Sequence, residues 1–307
     1  MNHLVKNASG RLLAVSEWGK RTGTPVFVLH GTPGSRLGVA PRPSVLYQLG
    51  VRLIAYDRPG YGGSERHEGR TIGDAADDVR TIARELGVER FAVIGRSGGG
   101  PHALACAALL PDLVTRVAAL VSLAPKKRTN GGMGAHWFEG MTQGNVDVYR
   151  KAEKGIARIT PVLNDRSRSI RDDPSVMITQ LLSEVRASDL QVISDAGIRQ
   201  MLRNNYQEAL RESGDGWIDD IMAFIHDWGF RIEDIAVPVL LWHGQDDIFS
   251  PVQHCLWLND RIPDTTLRLE PGKAHFDAVS ALPDILPWLK QPRAAAGVTR
   301  SAAPAHG

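Results

Sequence analysis

The sequence predicts an α/β protein, a mostly parallel sheet with helices on its faces and one large helical insertion. Three patterns carry that expectation. Short runs of Val, Ile and Leu recur with longer helical patterns between them, the rhythm of strands joined by crossover helices. The rhythm stops between Pro125 and Ile235, where helical patterns persist without a good strand, and resumes at Pro238. A pair of alternating segments at the start reads as a hairpin.

Taken in order, Leu4 to Ala8 and Leu12 to Glu17, with Ser9-Gly10 between them, form the expected antiparallel hairpin at the sheet edge. Strands follow at Val26 to His30, Arg52 to Tyr56, Phe91 to Gly95, Val117 to Leu123, Val239 to Trp242 and Thr266 to Leu269, which with the hairpin makes an eight-stranded sheet. Ile72, Ala75, Ala76, Val79, Ile82, Ala83 and Leu86 recur at steps of three and four, the stripe of a helix buried along one side that stops at Gly87. A second helix is expected from Gly98 to Leu110. The long block carries helical patterns near Val146 to Ile159, Ser175 to Arg186, Asp189 to Glu212 and Trp217 to Trp228, and it is too long for a loop, so a subdomain packed on the sheet is expected. The organisation read from the sequence is a core of residues 1–124 and 236–290, a helical cap at 125–235, and a mobile Ala-, Gly-, Pro- and Arg-rich tail at 291–307.

A chain of 307 residues buries enough surface to need no covalent staples. Cys106 and Cys255, far apart in sequence, are expected to be reduced and buried. The 36 basic and 34 acidic residues are interspersed, so the net charge of +2 leaves no electrostatic footprint for nucleic acid or a membrane surface. Residues Met1 to Asn7 lack the apolar core of a signal peptide and no apolar run approaches a membrane span, which leads us to expect a cytoplasmic protein. Oligomeric state is not legible.

The most informative stretch is Gly95-Arg96-Ser97-Gly98-Gly99-Gly100, where a strand should become a helix. A nucleophilic serine must stand clear of the sheet, and a sharp strand-to-helix turn achieves this by straining the serine backbone, so its neighbours must be small. Gly95 and Gly99, two before and two after Ser97, supply that space. A phosphate-binding loop would place a lysine directly after the glycines, and the next lysine is Lys126. A serine hydroxyl also needs a base beside it and a third group to orient that base, in chain order serine, acid, histidine on this kind of scaffold. Two loops after strands offer those groups: Gly244-Gln245-Asp246-Asp247 supplies carboxylates and Pro271-Gly272-Lys273-Ala274-His275 an imidazole.

With these loops go His30-Gly31-Thr32-Pro33-Gly34 and Tyr56-Asp57-Arg58-Pro59-Gly60-Tyr61-Gly62-Gly63-Ser64, each after a predicted strand. In that order the motifs resemble the α/β-hydrolase fold superfamily, in the group of capped serine hydrolases with a helical cap inserted after the sixth strand, an esterase or proline iminopeptidase-like group. The resemblance spans about Leu12 to Leu289. It implies Ser97 as nucleophile, His275 as general base and later acid, Asp247 as the group holding the imidazole, and the backbone amides of Thr32 and Gly98 as oxyanion hole. Asp247 is preferred to Asp246 because the family pattern Gly-x-x-Asp-x-x-x-Pro fits Gly244, Asp247 and Pro251.

The resemblance further implies acyl transfer on a small-molecule ester or amide, best a carboxylic ester of a small, largely apolar substrate, with no metal or organic cofactor. Its alternatives are a proline iminopeptidase-like aminopeptidase, a lactonase, acyltransferase or lyase on the same triad, and a ligand receptor with vestigial turnover. An aminopeptidase would need carboxylates for the substrate amine, for which Glu139, Asp147, Glu153, Asp215, Asp219 and Asp220 are available. His30 and His243 are expected to stabilise loops, and Asp57 and Arg58 to fix their turn. Arg96 is expected in a structural ion pair and Gly100 in packing. Met133, Trp137, Phe138, Met141, Trp217, Met222, Phe224, Trp228 and Phe230 are expected mostly in a core, with a few lining the pocket.

Overall fold

The computed structural model describes residues 1–38, 40–127 and 131–291. Eight strands form one sheet: β1 (Asn2–Lys6), β2 (Leu12–Gly19), β3 (Thr24–Leu29), β4 (Val51–Tyr56), β5 (Phe91–Arg96), β6 (Val114–Leu120), β7 (Val239–Gly244) and β8 (Thr265–Glu270). Their spatial order is β1-β2-β4-β3-β5-β6-β7-β8. β1 and β2 pair antiparallel at one edge, β2 pairs antiparallel with β4, and all pairings from β4 across to β8 are parallel. The sequence-based expectation therefore holds for sheet and hairpin. β1 and β6 differ in their bounds, beginning and ending two and three residues, respectively, before the expected runs.

Successive strand residues face opposite sides of a sheet, and the two cores follow that alternation. Phe27, Ile54 and Val93 enter one core, while their neighbours Val26, Leu53 and Ala92 enter the other. On the first face lie α2 (Ala75–Glu85) and α3 (Gly99–Leu109); the second is covered by α1 (Pro43–Gln48) and α12 (Leu282–Leu289), named with α10 (Val252–Asn259) and α11 (Asp277–Ser280) between them in chain order. β5 is buried from Phe91 to Gly95, as expected for a central parallel strand covered on both faces. Cys106 and Cys255 are both free and buried.

Between β6 and β7 the chain forms α4 (Gln143–Glu153), α5 (Ile156–Asp172), α6 (Ser175–Glu184), α7 (Ala187–Ser194), α8 (Ala196–Ala209) and α9 (Asp215–Ile225), and no strand among the described residues. The single pattern expected at 146–159 is two helices, because Gly155 takes a left-handed φ of +105° and breaks the chain there. The pattern at 189–212 is likewise divided: the Asp195 side chain accepts from the Ile198 N–H and caps a new helix. His254 and Trp137 tie the entrance of this block to the sheet. The His254 imidazole accepts from the Ala124 N–H and faces the Trp137 carbonyl, and the Trp137 indole donates to the Ala124 carbonyl. The expected mobile tail lies, from residue 292 on, outside the described residues.

Candidate active site

Ser97 sits between β5 and α3 at φ +54°. Its N–H is held by the Leu120 carbonyl of β6 and its own carbonyl accepts from Gly100, so the left-handed bend is fixed on both sides. The flanking glycines are sterically required. A Cβ on Gly95 would stand 2.2 Å from the Gly99 carbonyl oxygen, and one on Gly99 would stand 2.1 Å from that of Leu29. Gly100 packs on Ser122 as expected of a packing residue.

His275 and Asp247 arrive from the ends of β8 and β7. The His275 Nδ1 lies 2.8 Å from Asp247 Oδ2, and both side chains are buried. Asp247 Oδ1 accepts from the Phe249 and Ser250 N–H groups at 2.8 and 3.0 Å. Burial works to raise the Asp247 pKa, yet His275 and His243 beside it hold the carboxyl well below its usual range. It is therefore ionised, and an ionised carboxylate only accepts, so His275 carries its proton on Nδ1 and leaves Nε2 as the basic nitrogen. Asp246 is exposed.

Thr32, Ser97, Gly98 and His275 line one cavity of about 160 Å³, with Asp247 set behind the imidazole. Among the described residues neither the Thr32 nor the Gly98 N–H donates to another backbone carbonyl. The two loops are in close contact: a Cβ on Gly98 would fall 2.2 Å from Thr32 Oγ1. The helical block supplies the opposite wall, through Tyr149, Leu181, Tyr206, Trp217 and Phe224. Of the nine expected large apolar side chains, Trp217 and Phe224 reach the cavity. The carboxylates considered for an amine do not line it. Asp220 and Asp219 are held by arginines, Glu153 by Lys126 and Arg150, and Glu184, overlooked in the sequence, is the acid on the cavity wall.

The α/β hydrolase fold family profile matches residues 24–159. The bifunctional esterase/perhydrolase of Acinetobacter calcoaceticus is 25% identical over 254 residues, covering 81% of this chain and 83% of that protein. The proline iminopeptidase of Neisseria gonorrhoeae is 27% identical over 303 residues, covering 89% and 92%. The bromoperoxidase structure from Bacillus anthracis superposes with a TM-score of 0.70 at 22% identity, covering 95% of this chain and all of that one. The chain has the α/β-hydrolase fold.

Within this α/β-hydrolase fold, sequence reasoning missed the group that holds the Thr32 loop. Arg58 donates to the carbonyls of His30 and Gly31 and to Thr32 Oγ1, while Asp220 of α9 accepts from Arg58, from Arg70, from the Tyr61 hydroxyl and from Thr32 Oγ1 at 2.5 Å. The cluster is sealed: Arg58, Arg70 and Asp220 are all buried. Burial tends to raise the Asp220 pKa, but the two guanidiniums hold it well below the usual carboxylate range. His30 accepts at Nε2 from the Arg58 N–H, which leaves Nδ1–H to donate to the Gly31 carbonyl. Burial keeps this ring neutral by lowering its pKa well below the ordinary value. His30 and His243 thus stabilise loops as expected, the latter with Nε2 on the Ser250 carbonyl. Asp57 fixes its turn by accepting from the Arg36 and Gly63 N–H groups. The ion pair expected for Arg96 is absent among the described residues: no carboxylate comes within reach of its guanidinium, because the nearby Asp189 is taken by the N–H groups of His275 and Phe276.

Proposed function

We propose that the protein is a serine hydrolase that cleaves a carboxylic ester of a small substrate by way of an acyl-enzyme. One observation carries the reading. A serine held at a left-handed bend shares a cavity with an imidazole whose Nδ1 is bound to a buried, ionised carboxylate.

In this reading His275 Nε2 takes the Ser97 hydroxyl proton as Oγ attacks the carbonyl carbon, and the imidazolium that forms is stabilised by Asp247. The developing oxyanion receives the Thr32 and Gly98 N–H groups, each such donor being worth about 3 kcal/mol of barrier. His275 then protonates the leaving alkoxide and, in the second half, takes a proton from water as it attacks the acyl-enzyme. Free acid leaves and Ser97 is regenerated.

The helices between β6 and β7 act as the cap in this reading, supplying an apolar wall over the nucleophile. Cavities of about 150 Å³ accommodate a benzene-sized group, so a cavity of this size suits a short acyl or alcohol part. Two free, buried cysteines suit a reducing compartment such as the cytoplasm, and among the described residues no helix is long and apolar enough to cross a membrane.

A serine-directed fluorophosphonate, followed by peptide mass analysis, tests the assignment. Labelling at Ser97 together with steady-state turnover of p-nitrophenyl acetate is expected. Ester turnover that persists undiminished in Ser97→Ala would refute the mechanism, and stoichiometric labelling without turnover would favour a receptor.

A further inference from the structure

A half-buried guanidinium at the cavity wall has no ion-pair partner among the described residues. Arg96 lines the same cavity as Ser97, its Nε is buried without a partner, and its guanidinium carbon stands 5.0 Å from the centre of the Phe276 ring. Burial lowers its pKa, while Tyr206, Asp189 and Asp247 draw it back only from a distance. The carboxylates around it are committed elsewhere. Asp189 accepts from two backbone N–H groups, and Asp247 from two more and from His275.

The other charges on the wall do not serve the same end. Arg36 is neutralised by Asp57 and Glu208, and Glu184 and Arg166 belong to helices of the far wall. Beside the nucleophile the positive charge of Arg96 stands alone. A methyl built on Gly31 would lie 3.6 Å from Ser97 Cβ and 3.7 Å from Arg96 Nη1, so one methyl-sized position touches both side chains. A buried charge is costly unless something of opposite sign meets it, and a guanidinium is shaped to meet a carboxylate through two parallel hydrogen bonds.

We infer that the substrate carries a carboxylate, and that Arg96 receives it while Ser97 attacks an ester carbonyl a short chain away. The substrate class is thus a half-ester of a short dicarboxylic acid or an ester of a short hydroxy acid. This rests on the serine-hydrolase reading and narrows it: the small, mainly apolar substrate has one anionic end. Arg96 is here a specificity residue, in contact with substrate and outside the proton relay.

The test measures methanol release from the monomethyl esters of succinic, glutaric and adipic acid, each against the same ester with its free carboxyl replaced by carboxamide. The wild-type protein is expected to favour the acid over its amide by about 10- to 100-fold in kcat/KM, the range of a hydrogen bond to a charged group. In Arg96→Met that ratio should collapse towards one, with the loss mainly in KM, and Arg96→Lys should keep part of it. An equal loss on acid and amide in Arg96→Met, or no preference in the wild type, would overturn the inference by returning Arg96 to a structural role. Calorimetric titration with free glutarate separates this failure from that of the hydrolase reading. If no ester turns over but glutarate binds at least tenfold more weakly to Arg96→Met than to wild type, the anion site stands and the hydrolase reading falls; equal glutarate affinity in the two proteins sinks the anion site whatever the turnover.

Discussion

Two aspartates, Asp247 and Asp220, are buried in the same molecule, and both have pKa values pushed below the ordinary range. They differ in what they face. Asp247 meets an imidazole that lines an open cavity. Asp220 meets the guanidiniums of Arg58 and Arg70, and no side of it is open. In the proposed reading, equal burial and equal charge therefore yield a proton-handling site in one place and a rivet in the other. The rivet still bears on the candidate site, because it joins α9 to Thr32, which lines the cavity beside Ser97.

Substitution at the open site should produce the largest effect, on rate rather than on fold. Ser97→Ala and His275→Ala should each lower kcat by about 10⁵- to 10⁶-fold, and Asp247→Asn by about 10⁴-fold, the scale found when members of such a relay are removed. Thermal midpoints should move little by comparison for Ser97→Ala. Ester turnover measured beside differential scanning calorimetry decides it, and a Ser97→Ala protein that loses stability in proportion to its activity would place Ser97 with the scaffold.

The closed site should behave in the opposite sense. Asp220→Asn removes the counter-charge of two buried guanidiniums, and breaking a buried pair from one side costs about 3–5 kcal/mol. Urea unfolding should show that loss directly, with a smaller fall in kcat as the Thr32 loop relaxes. A variant as stable as the parent would mean that Arg58 and Arg70 find other partners, such as water admitted to the cluster.

Acid titration sharpens the contrast. The Asp220 carboxyl has a folded pKa below its unfolded value, so the folded state binds this proton less readily than the unfolded chain. Its contribution is fully present above the unfolded pKa of about 4 and is lost as pH falls towards the folded value. The gap in unfolding free energy between wild type and Asp220→Asn should thus be widest above about pH 5 and shrink on acidification. A gap that is constant from pH 6 to pH 3 would show that the carboxyl is not held down by its arginines.

The two sites were unequally legible in the sequence, for a physical reason. The demands on Ser97 are local: a left-handed serine needs glycines two residues either side, so its bend is written in consecutive letters. Asp247 and His275 each follow a strand, and parallel strand ends converge. The role of Asp220 is written nowhere nearby. Its partners Thr32, Arg58 and Arg70 lie 188, 162 and 150 positions away, and only the docking of α9 on the loops after β3 and β4 assembles them. Helix α5 was blurred for another reason. Pro161 and the polar run from Asn164 to Ser169 obscure its pattern, yet Ile159, Leu163, Ser167 and Ile170 are buried at helical spacing, so tertiary packing outweighed local propensity. Arg96 shows the same limit, since its place between Gly95 and Ser97 says nothing about which wall its side chain will reach.

The smallest expected effect tests how finely the acid is specified. Asp246 and Asp247 are adjacent and chemically equivalent in the sequence, and the backbone between them decides which one turns inward. The Asp247 N–H returns to the Gly244 carbonyl and its carboxylate caps the N–H groups of Phe249 and Ser250, while Asp246 gives its own N–H to the Lys273 carbonyl and leaves its side chain in solvent. An exposed carboxylate in a two-carboxylate loop contributes little. Asp246→Asn should therefore change kcat by less than about twofold and stability by less than about 0.5 kcal/mol, measured against Asp247→Asn in the same assay. If Asp246→Asn proved the damaging change, the relay would have to run through the exposed residue, and the burial and hydrogen bonding that set Asp247 apart would be serving the loop alone.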